Sequence, residues 1–172
     1  MKIKNEIELE LAWLVKHLPD DLDKCKSTEI KQAYLENRDP SVKDLRIRER
    51  EGVFTQTVKK FIKSSQETGY TSEETKKLGK KEFLNLWNKA GKKIRKIRYF
   101  YPLLDRLTAE IDIYKDNLEG LTVVEVEFPS IEVYKKFKKP DWFGKEVTDS
   151  KGIYPPVIAD MTLNEADKIN KD

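Results

Sequence analysis

The chain has 172 residues, 38% charged and 38% apolar, with a formal net charge of +3. That length suits one domain over 1–172 with room for a core, patterned apolar residues exclude a disordered chain, and near-balanced charge excludes a polycation. One cysteine, Cys25, and one histidine, His17, exclude a disulfide framework and a Cys/His zinc site, while the early acidic turn and the lack of a long apolar run exclude a signal peptide and a membrane helix, so a soluble cytoplasmic protein is expected.

The first strand runs from about Lys4 to Val15, with an apolar row of Ile7, Leu9, Leu11 and Trp13 and an acidic row of Glu6, Glu8 and Glu10. Leu18-Pro19-Asp20-Asp21-Leu22 reads as a turn into a short helix. Ile30 to Leu35 is a second strand, and Asn37 to Ser41 a turn cluster. Lys43–Arg50 and Val53–Phe61 form a hairpin around Glu51-Gly52. Residues 64–76 leave two readings open: a helix whose capping box is Thr71 and Glu74, or a weak strand. Lys80 to Ala90 is helical, with Phe83, Leu86, Trp87 and Ala90 on one face and Gly91 as a stop. Ile94–Phe100, Ala109–Tyr114 and Leu121–Phe128 are strands. Ser130 caps a short helix to Phe137, and Thr162 with Glu165 is a capping box for a last helix. Seven or eight strands at hairpin spacing point to a sheet closed into a barrel.

Three strand segments carry charge on every second residue: Glu6-Ile7-Glu8-Leu9-Glu10, Arg46-Ile47-Arg48 and Glu125-Val126-Glu127. Alternate residues of a strand share a face, so the chain builds acidic, basic and acidic rows, each backed by apolar residues. Carboxylates without imidazole or thiolate select hard cations, and guanidinium and ammonium groups hold polyanions. The plain alternative is a solvated sheet face. The direction of the rows decides between them.

Several segments, in order, resemble the CYTH domain of the triphosphate tunnel metalloenzyme superfamily. Its opening Glu-x-Glu-x-Lys, aromatic, Leu-Val and Leu-Pro fit Glu8-Leu9-Glu10-Leu11-Ala12-Trp13-Leu14-Val15 and Leu18-Pro19. Gln32-Ala33-Tyr34-Leu35, Arg46-Ile47-Arg48, Thr57-Val58-Lys59, Lys96-Ile97-Arg98-Tyr99, Glu110-Ile111-Asp112 and Glu125-Val126-Glu127-Phe128 follow. Pro140-Asp141-Trp142-Phe143-Gly144-Lys145-Glu146-Val147-Thr148 is similar to the family's Pro-x-Trp-Leu-Gly-x-Glu-Val-Thr signature. Two positions depart from the pattern: Ala12 stands at the opening lysine, and Thr71, Glu73 and Thr75 stand where Arg-x-Glu-x-Glu belongs.

The resemblance implies an α+β fold, a closed eight-stranded antiparallel β-barrel with peripheral helices, whose interior grips a linear triphosphate. It implies metal ligands Glu8, Glu10, Glu125 and Glu127 for Mg²⁺ or Mn²⁺, and phosphate contacts from Arg46, Arg48, Lys59, Lys96 and Arg98. Asp112 and Lys96 are the expected catalytic residues, although either Asp112 or a row glutamate would serve to orient water. The implied activity is metal-dependent hydrolysis of inorganic triphosphate or of a nucleoside or thiamine triphosphate. The alternatives are a class IV adenylate cyclase-like activity and a non-catalytic polyphosphate- or nucleotide-binding module. Ala12 predicts a weakened enzyme unless Lys16 or another lysine reaches in. The expected partner is a small polyphosphate; a homodimer is allowed, and neither membrane nor nucleic acid is expected. Lys76 to Arg98 holds ten basic residues and one acidic residue, Glu82, read as a solvated helix face beside an inward-facing strand. Trp13, Trp87 and Trp142 read as packing residues. His17 and Cys25 have no catalytic context.

Overall fold

Alternation sets the sheet. In β1 (Glu6–Val15) Leu9, Leu11 and Trp13 are buried on one face, while Glu10 points to the other. The computed structural model describes residues 6–61, 70–148, 155–159, 161, 165 and 168–169. After β1 come β2 (Ser27–Tyr34), β3 (Val42–Arg50), β4 (Val53–Phe61) and β5 (Tyr70–Lys77), then helix α1 (Lys80–Lys89). Next are β6 (Lys92–Pro102), β7 (Thr108–Tyr114), β8 (Thr122–Phe128), helix α2 (Ile131–Lys136), β9 (Phe143–Glu146) and helix α3 (Pro155–Ile158). The described residues are thus mostly antiparallel sheet with a few helices, ordered β5-β4-β3-β2-β6-β7-β8-β1-β9. β1 has three neighbours in turn: β5 over Glu6 to Leu9, β8 over Leu9 to Leu14, and β9 near Val15.

Local chemistry explains the joints. Glu51 and Gly52 both take positive φ, 52° and 75°, the combination a tight hairpin turn needs to follow strand twist. Residues 70–77 form β5 rather than a capped helix, because the stretch pairs with β4 along its length and with β1 at its start. The β-branched Thr75 suits that half-buried setting. Ser130 caps α2 by accepting the Val133 N–H at 3.4 Å. β9 adds a strand at Phe143–Glu146, within the stretch that carries the family signature. Gly144 crosses so near β1 that a Cβ would lie 2.9 Å from the Leu14 carbonyl oxygen. α3 was not foreseen, and the Thr162 end of the expected last helix lies outside the described residues.

The apolar rows turn outward and are covered. Leu9, Leu11, Trp13, Val124, Val126 and Phe128 pack beneath α2, Phe137 and Phe143. Ala33 and Ile47 pack beneath α1, where Phe83 meets Phe54 at 4.9 Å between ring centroids. The rows facing the other way carry the ions. Lys96 is 2% exposed and Asp112 0%, so these charges lie in the protein rather than on a solvated face. At one end the inward face becomes apolar: Ala12, Leu14, Ile94, Tyr114 and Val123 meet Val147, Ile158 and Ala159. Among the described residues no helix is long and apolar enough to cross a membrane.

Candidate active site

Register brings the ionic residues together. Arg98 on β6 faces Asp112 on β7, Glu110 faces Glu125 on β8, and Glu127 faces Glu10 on β1. Across the sheet, Arg46 and Arg48 on β3 pair in register with Tyr34 and Gln32 on β2, and Lys59 on β4 with Glu73 on β5. Most of these side chains, though not Asp112 or Lys59, line a cavity of about 160 Å³, polar on nearly every wall and bounded by Glu10, Arg46, Arg48, Lys96, Arg98 and Glu125. Glu10, Glu110, Glu125 and Glu127 also line an adjoining mouth of about 440 Å³.

Asp112 is the hub of one side. Arg98 grips it with two parallel bonds, Nε to Oδ1 at 2.7 Å and Nη2 to Oδ2 at 2.6 Å. Lys96 donates to the same Oδ2. Arg98 also reaches Glu125 at 2.6 Å and pairs with Glu110. Burial pushes the Asp112 carboxyl up, but Arg98 and Lys96 outweigh it and hold it at about 2. Burial moves the Lys96 ammonium below its ordinary value, against Asp112 and with Arg98. With three donors on one carboxylate, Asp112 aims Lys96 and Arg98.

Glu10 takes Lys59 at 3.2 Å. Burial raises its carboxyl too, but Lys59 and then Arg46 bring it down to about 2. Glu125 is pushed up, first by burial and next by the charge of Glu10, with Arg98 opposing. Glu125, a crowded carboxylate that resists ionisation, fits a hard divalent cation in its chemistry. Among the described residues, however, no three carboxylates converge as an ion would require: Glu10 and Glu125 lean on Lys59 and Arg98 instead. The Glu8 backbone pairs with Thr71, and its side chain lies outside the described ones.

The depressed carboxyls make a statement about acid. A group held at about 2 stabilises the fold fully above its unfolded value, about 3.9 for Asp and 4.3 for Glu, and loses that contribution as pH falls towards about 2. Melting temperatures should therefore hold from neutral pH to about pH 4 and fall steeply below it. Melts followed by circular dichroism from pH 7 to pH 2 check this; a flat profile contradicts it.

The opposite wall is short of acceptors. Arg46 meets Glu73 at 3.1 Å and Asp44 at 3.8 Å, yet its Nε is buried with no partner. Among the described residues Arg48 has only the neutral Gln32, whose Oε1 accepts from Nη2 at 3.4 Å, and its Nε is likewise buried and unmatched. Burial, then the charges of Arg46 and Arg98, push the Arg48 guanidinium down to about 10. Gln32 in turn donates to the Tyr34 hydroxyl.

The structure places both residues that the departure at Ala12 involves. Lys16 does not reach in: it is exposed, and its Nζ lies 3.3 Å from the Asp141 carbonyl oxygen. Ala12 sits at the apolar end, its N–H donating to Thr148 Oγ1 at 3.1 Å and its carbonyl accepting from Val147 at 2.7 Å. A lysine there would enter the plug formed with Val147 and Ile158. Glu110, Glu73 and Gln32 were missed from sequence. Each lies two positions from, or directly opposite, a residue already singled out, so extending the alternation would have found them.

No family model matches the chain. An inorganic triphosphatase of Nitrosomonas europaea is 32% identical over 146 residues, 84% of this chain and 91% of that protein. An inorganic triphosphatase of Acetivibrio thermocellus is 42% identical over a shorter 55-residue stretch, 32% of this chain and 33% of that one. The crystal structure of the inorganic triphosphatase NE1496 superposes with a TM-score of 0.64 at 30% identity, covering 88% of this chain and 93% of that one. The Hippeastrum protein HpAC1, at 15% identity and a TM-score of 0.53 over 74% of this chain and 82% of that one, shares the fold.

Proposed function

The chain belongs to the CYTH family of triphosphate tunnel enzymes, and from that membership we propose that it hydrolyses inorganic triphosphate inside its charged interior. The observation that carries the reading is Arg48: a half-buried guanidinium with no carboxylate partner among the described residues and a buried, unmatched Nε. A buried donor left without an acceptor costs about 1–3 kcal/mol, and a polyanion entering between Arg48 and Arg46 would satisfy both. The pairing of β1 with β5 at one side and β8 at the other supports eight strands wrapping into a closed tunnel, with β9 outside the ring and 1–172 as one domain.

In this reading Arg46 and Arg48 bind phosphate oxygens through their free donor edges. Lys96, Arg98 and Lys59 supply positive charge where negative charge grows on the departing phosphate. Asp112 holds Lys96 and Arg98 in place, so these donors need no reorganisation during the reaction. Glu10, Glu125 and Glu127, with Glu8, would hold Mg²⁺ or Mn²⁺. When bound, that ion would supply Lewis-acid charge and a more acidic water. Glu110 or another mouth glutamate would orient the attacking water, because Asp112 already accepts three bonds. The free Cys25 suits a reducing cytoplasm.

Purified protein should release phosphate from tripolyphosphate with Mg²⁺ or Mn²⁺ and lose that activity on chelation. Glu10→Gln should raise the metal concentration needed for half-maximal rate. Thermal stabilisation by tripolyphosphate without turnover would instead identify a binding module, and no turnover with any divalent metal would sink the proposal.

A further inference from the structure

The turn that joins β6 to β7 stands at the rim of the acidic mouth. Leu107 N–H donates to the Leu104 carbonyl at 3.2 Å, and Leu103 N–H donates to the Leu107 carbonyl at 2.9 Å. The residues between, Asp105 and Arg106, both take positive φ, 56° and 61°. A tight turn of this hand favours Asn or Asp first and glycine second. Asp105 suits its place, and Gly52 fills the second place in the β3–β4 hairpin. Arg106 does not suit that place, because on a left-handed backbone its Cβ crowds the following carbonyl oxygen. Among the described residues it is the one cationic side chain held at positive φ. Strain of this kind gathers at working sites. We propose that Arg106 is a specificity residue: it grips the unesterified outer phosphoryl of inorganic triphosphate at the mouth, and so favours that substrate over a nucleoside triphosphate. The proposal rests on the triphosphatase reading and deepens it.

The mouth of about 440 Å³ is lined by Glu10, Glu110, Glu125 and Glu127, with Arg106 as the one cation among its described residues. Arg98 reaches Glu125 at 2.6 Å and pairs with Glu110, and Lys59 takes Glu10 at 3.2 Å. Arg106 is exposed and has no ion pair among the described residues, so its guanidinium is available to an incoming anion. Asp105 beside it is exposed too, where solvent screens its charge. The opposite end of the interior is filled by Leu14, Ile94, Tyr114, Val123, Val147 and Ile158. A triphosphate held by Arg46, Arg48 and Lys96 therefore has its outer end at the mouth, and any group attached to that end must lie there as well. In inorganic triphosphate every oxygen of the outer end is free, and a forked guanidinium takes such oxygens in pairs. In a nucleoside triphosphate the sugar ester removes one oxygen and part of the charge, and sets its bulk where Arg106 stands.

The test compares the wild type, Arg106→Gly and Arg106→Lys on tripolyphosphate and ATP, with thermal melts of the same preparations. Arg106→Gly removes the guanidinium and gives the turn the residue its backbone favours, so the melting temperature should hold or rise. Its kcat/KM for tripolyphosphate should fall about tenfold through KM, the loss of one charge-assisted contact, while that for ATP stays level. Arg106→Lys should keep part of the preference. Where ATP is bound but not cleaved, its inhibition constant against tripolyphosphate takes the place of kcat/KM. The proposal is overturned if Arg106→Gly changes both substrates alike or neither, and a lower melting temperature would overturn it by making Arg106 a structural residue. Should tripolyphosphate not be cleaved by the wild type, the triphosphatase reading falls and titration calorimetry with tripolyphosphate and ATP decides the role of Arg106 by itself. Tighter binding of tripolyphosphate than of ATP, narrowed by Arg106→Gly, upholds it; affinities that the substitution leaves unchanged refute it.

Discussion

Replacing Arg48 by methionine should lower tripolyphosphate turnover by about 10²–10³-fold, the usual cost of one preorganised charge-stabilising donor, while the melting temperature stays level or rises. The two effects separate because of where Arg48 stands. It makes no ion pair among the described residues, leaves Nε unmatched and sits among the like charges of Arg46 and Arg98. In the free protein it is a cost, since buried unpaired donors and charges destabilise a fold. Methionine keeps the apolar stem and removes that cost. Arg48→Lys should recover little of the rate, because an ammonium lacks the forked geometry. Steady-state kinetics with thermal melts of the same preparations decide it. A variant that loses stability and activity together would make Arg48 a structural residue.

Asp112→Asn should act the other way and cost the fold about 3–5 kcal/mol, as breaking a buried ion pair does. At this chain length each kcal/mol moves the melting temperature by about 2–4 °C, so a drop of roughly 6–20 °C is expected. The reason is the three bonds that end on this carboxylate. Without its charge, Lys96 and Arg98 remain buried side by side and, among the described residues, only Glu110 and Glu125 answer Arg98. Lys96→Met in the same molecule removes one of the stranded cations and should return part of the loss, a non-additivity that a double-mutant cycle measures. Full additivity would show that Lys96 and Asp112 do not depend on each other. Turnover should fall in both variants, because Arg98 loses the group that aims it.

These two residues also show how far sequence alone reaches. Both were named from the sequence, Arg48 by the alternation of Arg46-Ile47-Arg48 and Asp112 by the family resemblance of Glu110-Ile111-Asp112, and the structure brings both onto the ionic face. Their opposite energetic characters were invisible, because partners are set by strand neighbours far apart in sequence: Arg98 of β6 for Asp112, Gln32 of β2 for Arg48. The stretch at 70–77 is a second example. Its polar sequence supports a capped helix or a strand equally well, and long-range pairing with β4 and β1 resolves it into a strand. The departure at Ala12 is a third. Read along the chain it is a missing cation; in the fold it is part of an apolar end built with Val147 and Ile158 from the far C-terminal segment.

What the amino-acid order determined by itself was the sorting of side chains into two sets, since a period of two assigns each residue to one face or the other whatever the strand pairs with. It also carried the hairpin at Glu51-Gly52, the cap at Ser130 and the family, all of which are local or cumulative patterns. It could not say which face is inside, because an ionic row is stable facing water or facing countercharges. Only the tertiary structure decided that. Helices α1 and α2 and strand β9 cover the apolar rows, which leaves the ionic rows to neutralise one another within the sheet, and two arginines there with donors to spare.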